Sequence, residues 1–122
     1  MFKKILLLTI FISSIGCSTP YQTYGGRGGY SEKKLSDNKF KISFSGNIYT
    51  RRYKANDFAL LRSAEIADQN NFKFFKIDSD SKIYGLSSTT YEITGYNEKP
   101  SGEMVYESKK VIEEMRKKHR LK

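Results

Sequence analysis

The feature that most limits the fold of this chain is an apolar run, residues 5–15, which ends just before Cys17, the single cysteine. As a helix, these eleven residues reach about 16 Å. The hydrocarbon core of a bilayer is about 30 Å thick, so the run is too short for a stable membrane-spanning helix. Its length is that of the apolar region of an export signal, and Lys3 and Lys4 supply the positive start that orients such a signal.

Gly16 and Cys17 resemble the end of a bacterial lipoprotein signal, whose motif usually has Leu, a small residue, Gly or Ala, and then Cys. Ser14 and Ile15 depart from that motif. The resemblance implies removal of residues 1–16, a diacylglycerol on the Cys17 sulfur and, in many bacteria, a third acyl chain on its amine. Ser18 stands where the family's inner-membrane retention signal has Asp, which favours the periplasmic face of the outer membrane. The alternative is an ordinary secretory signal followed by an unrelated cysteine.

Composition indicates one folded, basic domain. Removal of residues 1–16 from the 122-residue chain leaves 106, enough for one modest core. The net charge of +9 falls to +7 when Lys3 and Lys4 are removed with the signal. This charge favours anionic partners such as phospholipid or lipopolysaccharide headgroups and acidic cell-wall polymers. Export argues against nucleic acid as a partner.

A glycine-rich stretch follows the cysteine. Four glycines occupy five positions in residues 25–29, and residues 18–30 show no apolar periodicity. We therefore predict a lipidated cysteine and flexible tether over residues 17–38. A phosphate-binding glycine loop would need a preceding strand and a following helix, and an RGG-type nucleic-acid segment normally repeats, whereas Arg27 stands alone.

Residues 39–122 are predicted to form a small α+β domain with a basic C-terminal tail. Alternation of Phe40, Ile42 and Phe44 with polar residues predicts the first strand. A helix is predicted from Asn56 or Asp57 to about Gln69. Two strands over residues 72–77 and 89–96, separated by a polar loop, and a helix over 105–118 complete the prediction. The order is β-α-β-β-α, a three-stranded sheet with both helices on one face.

The mature chain also resembles a family of small uncharacterised proteobacterial envelope lipoproteins. The resemblance is carried, in order, by four short segments: residues 28–32, 44–47, 60–65 and 72–75. It implies a location in the envelope and a fold class. It implies no activity.

No residue pattern indicates catalysis, a metal or a cofactor. His119 is the single histidine and lies in a basic tail without an evident positioned partner. Asp78 and Asp80 begin a segment similar to a calcium loop, but Lys82, Ile83 and Thr89 stand where such a loop needs an oxygen ligand, Gly and Glu. We predict that the protein is not an enzyme. An envelope hydrolase is the least favoured reading, since no nucleophile with a supporting base is found.

Two basic clusters are the candidate binding residues. The first is Arg51, Arg52 and Lys54, and the second contains five cations near the C-terminus: Arg116, Lys117, Lys118, Arg120 and Lys122. Solvated helix ends are the simpler interpretation, and contact with an anionic surface is the alternative. We thus expect a lipid-anchored binding or assembly module with an envelope protein partner. The alternative is a basic module that binds anionic headgroups or cell-wall polymer directly.

Overall fold

The computed structural model describes residues 17–83 and 87–122, so the predicted signal peptide and its cleavage residue Gly16 lie outside the described part. The described chain is α+β, as predicted. Its elements are β1 (Gly29–Ser36), β2 (Lys39–Ser45), α1 (Arg52–Gln69), β3 (Phe74–Ile83), β4 (Ser88–Tyr96), β5 (Tyr106–Glu107) and α2 (Ser108–Lys118). Neither helix is long and apolar enough to cross a bilayer.

The sheet has the strand order β1-β2-β4-β3-β5, and every neighbouring pair is antiparallel. Phe40 lies opposite Ile93, and Ile93 lies opposite Ile77, so the apolar positions of three strands fall on the same face. The opposite face is polar. There, Ser43 and Thr90 form a hydroxyl–hydroxyl hydrogen bond of 2.8 Å.

The core forms between the apolar sheet face and α1. Ile42, Phe44, Phe75 and Ile93 are fully buried on the sheet side. The helix contributes Phe58 together with small side chains, which allow it to lie close to the strands: Ala55, Ala59, Ala64 and Ala67. The second helix packs mainly against α1, through Val111 and its neighbours.

The sheet has five strands rather than the predicted three. Gly29–Ser36, which the sequence placed in a tether, forms β1 and pairs with β2 along its length. Its sequence is polar because it is an edge strand, held by backbone hydrogen bonds with little apolar burial. Tyr106–Glu107 adds the short β5 at the other edge.

Element boundaries also differ from the prediction. Strand β3 runs on to Ile83, through a register shift between Ile77 and Ser79, where a loop was predicted. Helix α1 begins at Arg52, because Asn56 accepts a hydrogen bond from the Thr89 hydroxyl (2.6 Å) instead of capping the helix. Helix α2 begins at Ser108, three residues later than predicted.

Candidate membrane-facing end

One end of the sheet is defined by a row of four residues that lie side by side across the strands: Gly29, Ser45, Ser88 and Ile83. The N-terminal residues of the described chain and the turn after β2 lie at this end. We call it the Cys17 end, and it comprises residues 17–19, 24–28, 45–54, 83 and 87–88.

The residues after Cys17 are docked onto the turn that follows β2. Cys17 is exposed, and its carbonyl accepts a hydrogen bond of 2.9 Å from the Asn47 side-chain amide. Thr19, only 1% exposed, donates its backbone N–H to the Thr50 hydroxyl oxygen at 2.9 Å. The Thr19 hydroxyl donates to the Arg27 carbonyl at 2.9 Å and accepts from the Asn47 backbone N–H at 2.8 Å. The chain is therefore fixed to the domain two residues beyond Cys17.

The glycine-rich stretch forms a turn packed against the sheet. Gly25 and Gly28 exchange two backbone hydrogen bonds, of 3.2 and 3.0 Å. Gly28 has φ +89°, and a Cβ atom there would lie 2.2 Å from the Ser45 carbonyl oxygen. Glycine is needed for both reasons, since it tolerates positive φ and allows backbones to approach closely. The predicted flexible tether is thus corrected: this turn and β1 belong to the folded domain.

Tyr21 attaches the same segment to both helices. Its hydroxyl donates to the Glu65 carboxylate, and its ring packs edge-on against Phe58 with 5.2 Å between centroids. Arg116 on α2 forms a 2.7 Å ion pair with the same Glu65. Burial, and then the hydrogen bond to Glu65, raises the pKa of Tyr21 well above its ordinary value. The folded protein therefore favours the neutral form of the Tyr21 side chain over the phenolate.

The Cys17 end exposes several large apolar and aromatic side chains. Ile48 is 74% exposed, Tyr24 62%, Ile83 60% and Tyr49 50%. Tyr24 and Ile83 both line an open groove of about 330 Å³, together with Arg27 and Asn47. With Tyr53, which is 55% exposed, five of the eight exposed large hydrophobic side chains of the described residues lie at this end.

The first basic cluster lies at this end. The Arg52 guanidinium donates to the carbonyls of Ile83 and Ser88, each at 2.9 Å, and so ties α1 to the ends of β3 and β4. The Lys54 ammonium donates to the Ser18 hydroxyl at 2.6 Å and lies 5.5 Å from the Phe58 ring centroid. Arg51 is exposed.

The second basic cluster lies beside the first. Lys118 forms a 2.7 Å ion pair with Asp57 on α1, and its ammonium lies 5.7 Å from the ring centroid of Tyr53. The hydrogen bond to Asp57 raises the pKa of Lys118. Tyr53 stands between Arg52 and Lys54, so the C-terminal end of α2 reaches the first turns of α1. Arg116 is paired with Glu65, and the other four cations of the cluster are exposed: Lys117, Lys118, Arg120 and Lys122.

His119 has a partner that the sequence did not reveal. Its Nε2 atom lies 2.9 Å from Asp57 Oδ2, an oxygen that Lys118 also contacts. The ring packs edge-on against Phe58, with 4.8 Å between centroids. Since Asp57 is far along the chain and on another helix, the contact fastens the end of α2 to α1.

Two further features of the described residues bear on metal binding and on catalysis. Within residues 17–83 and 87–122, no group of three His, Cys, Asp or Glu side chains is arranged to hold a metal ion. A cavity of about 340 Å³ lies beside β5, and its lining in the described chain includes neither serine nor aspartate. Its polar groups are two lysines and two glutamates: Lys99, Lys110, Glu107 and Glu114.

Comparison with known proteins adds nothing to this geometry. No protein family, curated protein or solved structure matches the chain. The function is therefore inferred from the Cys17 end and from the sequence.

Proposed function

We propose that this chain is an envelope lipoprotein, anchored through acyl chains on Cys17 at the periplasmic face of the outer membrane. Its signal peptide is residues 1–16, and its domain is a non-catalytic binding or assembly module for an envelope protein. The observation that carries this proposal is the position of Cys17. It is exposed at the edge of the domain, while Thr19, two residues later, is buried and hydrogen-bonded.

The docked segment supports a defined point of attachment. Acyl chains on the exposed Cys17 would leave the domain beside the turn at Asn47. Each buried methylene contributes about 0.8 kcal/mol to membrane binding, so two or three chains make release negligible. The domain would then lie against the headgroups instead of being held away from them by a tether.

The contacts made by His119 and Asp57 assign a structural role to both side chains. Both side chains join α1 to α2, and Asp57 is shared with Lys118. A binding module is also compatible with the polar outer face of the sheet, where Ser43 and Thr90 lie.

Intact-mass and N-terminal peptide mass spectrometry of the processed protein test the anchor. We expect loss of residues 1–16 and acyl mass on Cys17 in the parent protein. Cys17→Ser should remain unprocessed or become soluble. Ser18→Ala, one residue further along, is the matched control and should be processed and acylated like the parent.

A free Cys17 thiol, or cleavage at another bond, would contradict the proposal and indicate a soluble secreted domain. Crosslinking in intact cells tests the partner. Reproducible recovery of one envelope protein supports a binding or assembly module, and recovery of abundant bystanders alone counts against it.

A second candidate function is favoured by the adjacency of the two basic clusters at Tyr53 and Lys118. In this version the module binds anionic headgroups or cell-wall polymer directly. Binding of the unacylated Cys17→Ser mature chain to anionic but not neutral vesicles, lost above moderate salt, would support it. Binding that does not depend on salt would exclude it.

A further inference from the structure

We propose that the Cys17 end is a membrane-contact surface for the bilayer in which the protein is anchored. This inference rests on the proposed function, because an acylated Cys17 brings the bilayer to this end. The contact surface consists of four exposed apolar or aromatic side chains and two exposed arginines: Tyr24, Ile48, Tyr49, Ile83, Arg27 and Arg51. The apolar side chains enter the interfacial region of the bilayer, and the arginines bind anionic headgroups.

Position is the first argument. The Asn47 side-chain amide donates to the Cys17 carbonyl at 2.9 Å, and its Oδ1 accepts from the Tyr49 backbone N–H at 3.0 Å. One asparagine thus holds the point of acylation next to Ile48 and Tyr49. Acyl chains that leave from Cys17 would bring the bilayer to these two side chains first.

Side-chain chemistry is the second argument. In the described residues, eight large hydrophobic side chains are exposed, and four of them belong to the contact surface. Tyrosine combines an apolar ring with a hydroxyl and is enriched at membrane interfaces, where one end of the side chain is apolar and the other wet. An exposed isoleucine gains by leaving water for the acyl boundary. A cluster of this kind beside a lipid anchor fits an interface better than open water.

Charge is the third argument, and it selects an anionic bilayer. The residues that make up the Cys17 end, 17–19, 24–28, 45–54, 83 and 87–88, include no Asp or Glu. They supply the cations Arg27, Arg51, Arg52 and Lys54. The N-terminus of α1 also lies at this end, and its first turn contains no acidic residue. Such a surface attracts anionic headgroups, at a strength that falls with added salt.

Rigidity is the fourth argument, since it gives the docked domain one orientation. Arg52 holds the Ile83 carbonyl at 2.9 Å, and Thr19 holds the turn at Asn47. Strand β3 extends away from the contact surface, from Ile83 at this end to Phe74 and Phe75, where it pairs with β5. Met104 lines the same cavity as Ile77, and the partners of Ile77 and Ile83 are five residues apart on β4, so Ile77 lies about 17 Å from Ile83 at roughly 3.3 Å per residue.

Site-specific fluorescence of the acylated protein in vesicles tests the proposal. Because acylation consumes the single native thiol, a cysteine introduced at another position is the only one that labels. Ile48→Cys carries an environment-sensitive nitrobenzoxadiazole probe, and Met104→Cys is the control. Met104 is the more exposed of the two, at 93% against 74%, and lies beside Ile77, away from the contact surface.

In vesicles that contain phosphatidylglycerol, we expect the probe at position 48 to shift to the blue, brighten at least twofold and be quenched by spin-labelled lipid. The probe at position 104 should stay in water. A water-like probe at 48, or equal quenching at 48 and 104, would overturn the proposal. Exchange of Arg27 and Arg51 for Glu should lower the brightness at 48 in anionic vesicles but not in phosphatidylcholine alone.

The acyl mass of the same samples separates failure of this inference from failure of the proposed function. An acylated protein with a water-like probe at 48 overturns only the contact surface. A protein without acyl mass overturns the anchor. In that event a mature chain with Cys17→Ser and Ile48→Cys, which labels only at position 48, is mixed with anionic vesicles; a blue shift at 48 supports the contact surface by itself, and no shift overturns it too.

Discussion

At the scale of single residues, short polar side chains hold the N-terminal segment on the domain. The Thr50 hydroxyl donates to Asn47 Oδ1 at 3.0 Å, and the Asn47 backbone N–H contacts the hydroxyl oxygens of both Thr19 and Thr50. In the described chain, every buried side-chain nitrogen or oxygen has a hydrogen-bond partner. Loss of one member of such a cluster leaves the others desolvated and unpaired, which costs more than an average hydrogen bond contributes.

Thr19→Val removes one hydroxyl with little change in volume. We expect it to lower the free energy of unfolding by about 1–3 kcal/mol, because the Arg27 carbonyl loses its hydroxyl donor and the Asn47 N–H keeps only its longer, 3.2 Å hydrogen bond to Thr50. Urea unfolding of the Cys17→Ser mature chain measures this. Thr23→Val, at an exposed position nearby, is the control and should change stability by less than about 0.5 kcal/mol. Equal effects of the two variants would show that the segment is not docked.

Gly28→Ala tests the glycine-rich turn. A methyl group at Gly28 would meet the Ser45 carbonyl at 2.2 Å in a backbone with φ +89°, so we expect a loss of about 1–3 kcal/mol. Gly26→Ala is the control, because no atom lies within 4 Å of its ideal Cβ position. Thermal unfolding of both variants gives the comparison. A flexible tether would leave the two melting temperatures the same.

At the scale of elements, the edge strand β1 depends on contacts with α1. Arg62 forms an ion pair of 2.7 Å with Glu32 and lies over the Tyr30 ring, 4.2 Å from its centroid. Both partners are on the sheet face that α1 covers, because Tyr30 and Glu32 lie opposite Phe44 and Ile42. The polar edge strand is thus held along its length by backbone hydrogen bonds to β2, and Arg62 adds a contact from α1 to Tyr30 and Glu32.

A double-mutant cycle with Glu32→Gln and Arg62→Met measures this contact. We expect a coupling energy of about 0.5–1 kcal/mol, since the pair is partly shielded and made by two hydrogen bonds. Hydrogen exchange of β1 amides should accelerate in each single variant. The Asp80–Lys82 pair, which lies within β3 and links no two elements, is the control and should leave β1 exchange unchanged. Unchanged exchange in the Arg62 variant would mean that the contact with Arg62 does not hold β1.

At the scale of the whole molecule, Tyr21 links the N-terminal segment, α1 and α2 through Glu65 and Arg116. Its pKa is raised in the folded protein, so folded chains keep the phenol proton at pH values where unfolded chains lose it. Burial, and next Asp80, raises the pKa of Tyr91 to about 12 in the same direction. Stability that depends on these protons is fully present below pH 10 and is lost as the pH rises.

We therefore expect the free energy of unfolding to fall between pH 10 and pH 12, with Tyr21 contributing up to about 1.4 kcal/mol per pH unit. Tyr21→Phe should be less stable at pH 8 but should show a shallower fall. Urea unfolding at pH 8, 10, 11 and 12 measures both effects. Tyr24→Phe, in an exposed ring of the same segment, should follow the parent protein. A slope unaffected by Tyr21→Phe would contradict the role assigned to this hydroxyl.

The charged residues are unevenly distributed over the surface, and the fold determines which of them lie together. Residues 38–56 are free of carboxylates in the sequence, yet only strand pairing brings them beside residues 29–31, 83 and 88–91. The second basic cluster joins them because Asp57 and Glu65 on α1 pair with α2. A chain with the same composition and another topology would carry no such end.

The sequence by itself determined the α+β class, the alternation of β2 and the apolar stripe of α1, because these patterns repeat within a few residues and each face of an element must be buried or solvated. The same local patterns located Cys17 and both basic clusters. Strand β1, the docked turn at Gly28 and the adjacency of the clusters were decided by the tertiary structure alone. Polar and glycine-rich segments carry no periodicity of their own, and they become ordered only when distant partners form hydrogen bonds with them or pack against them: Asn47 donates to the Cys17 carbonyl, Glu65 accepts from the Tyr21 hydroxyl, and Ser45 packs against Gly28.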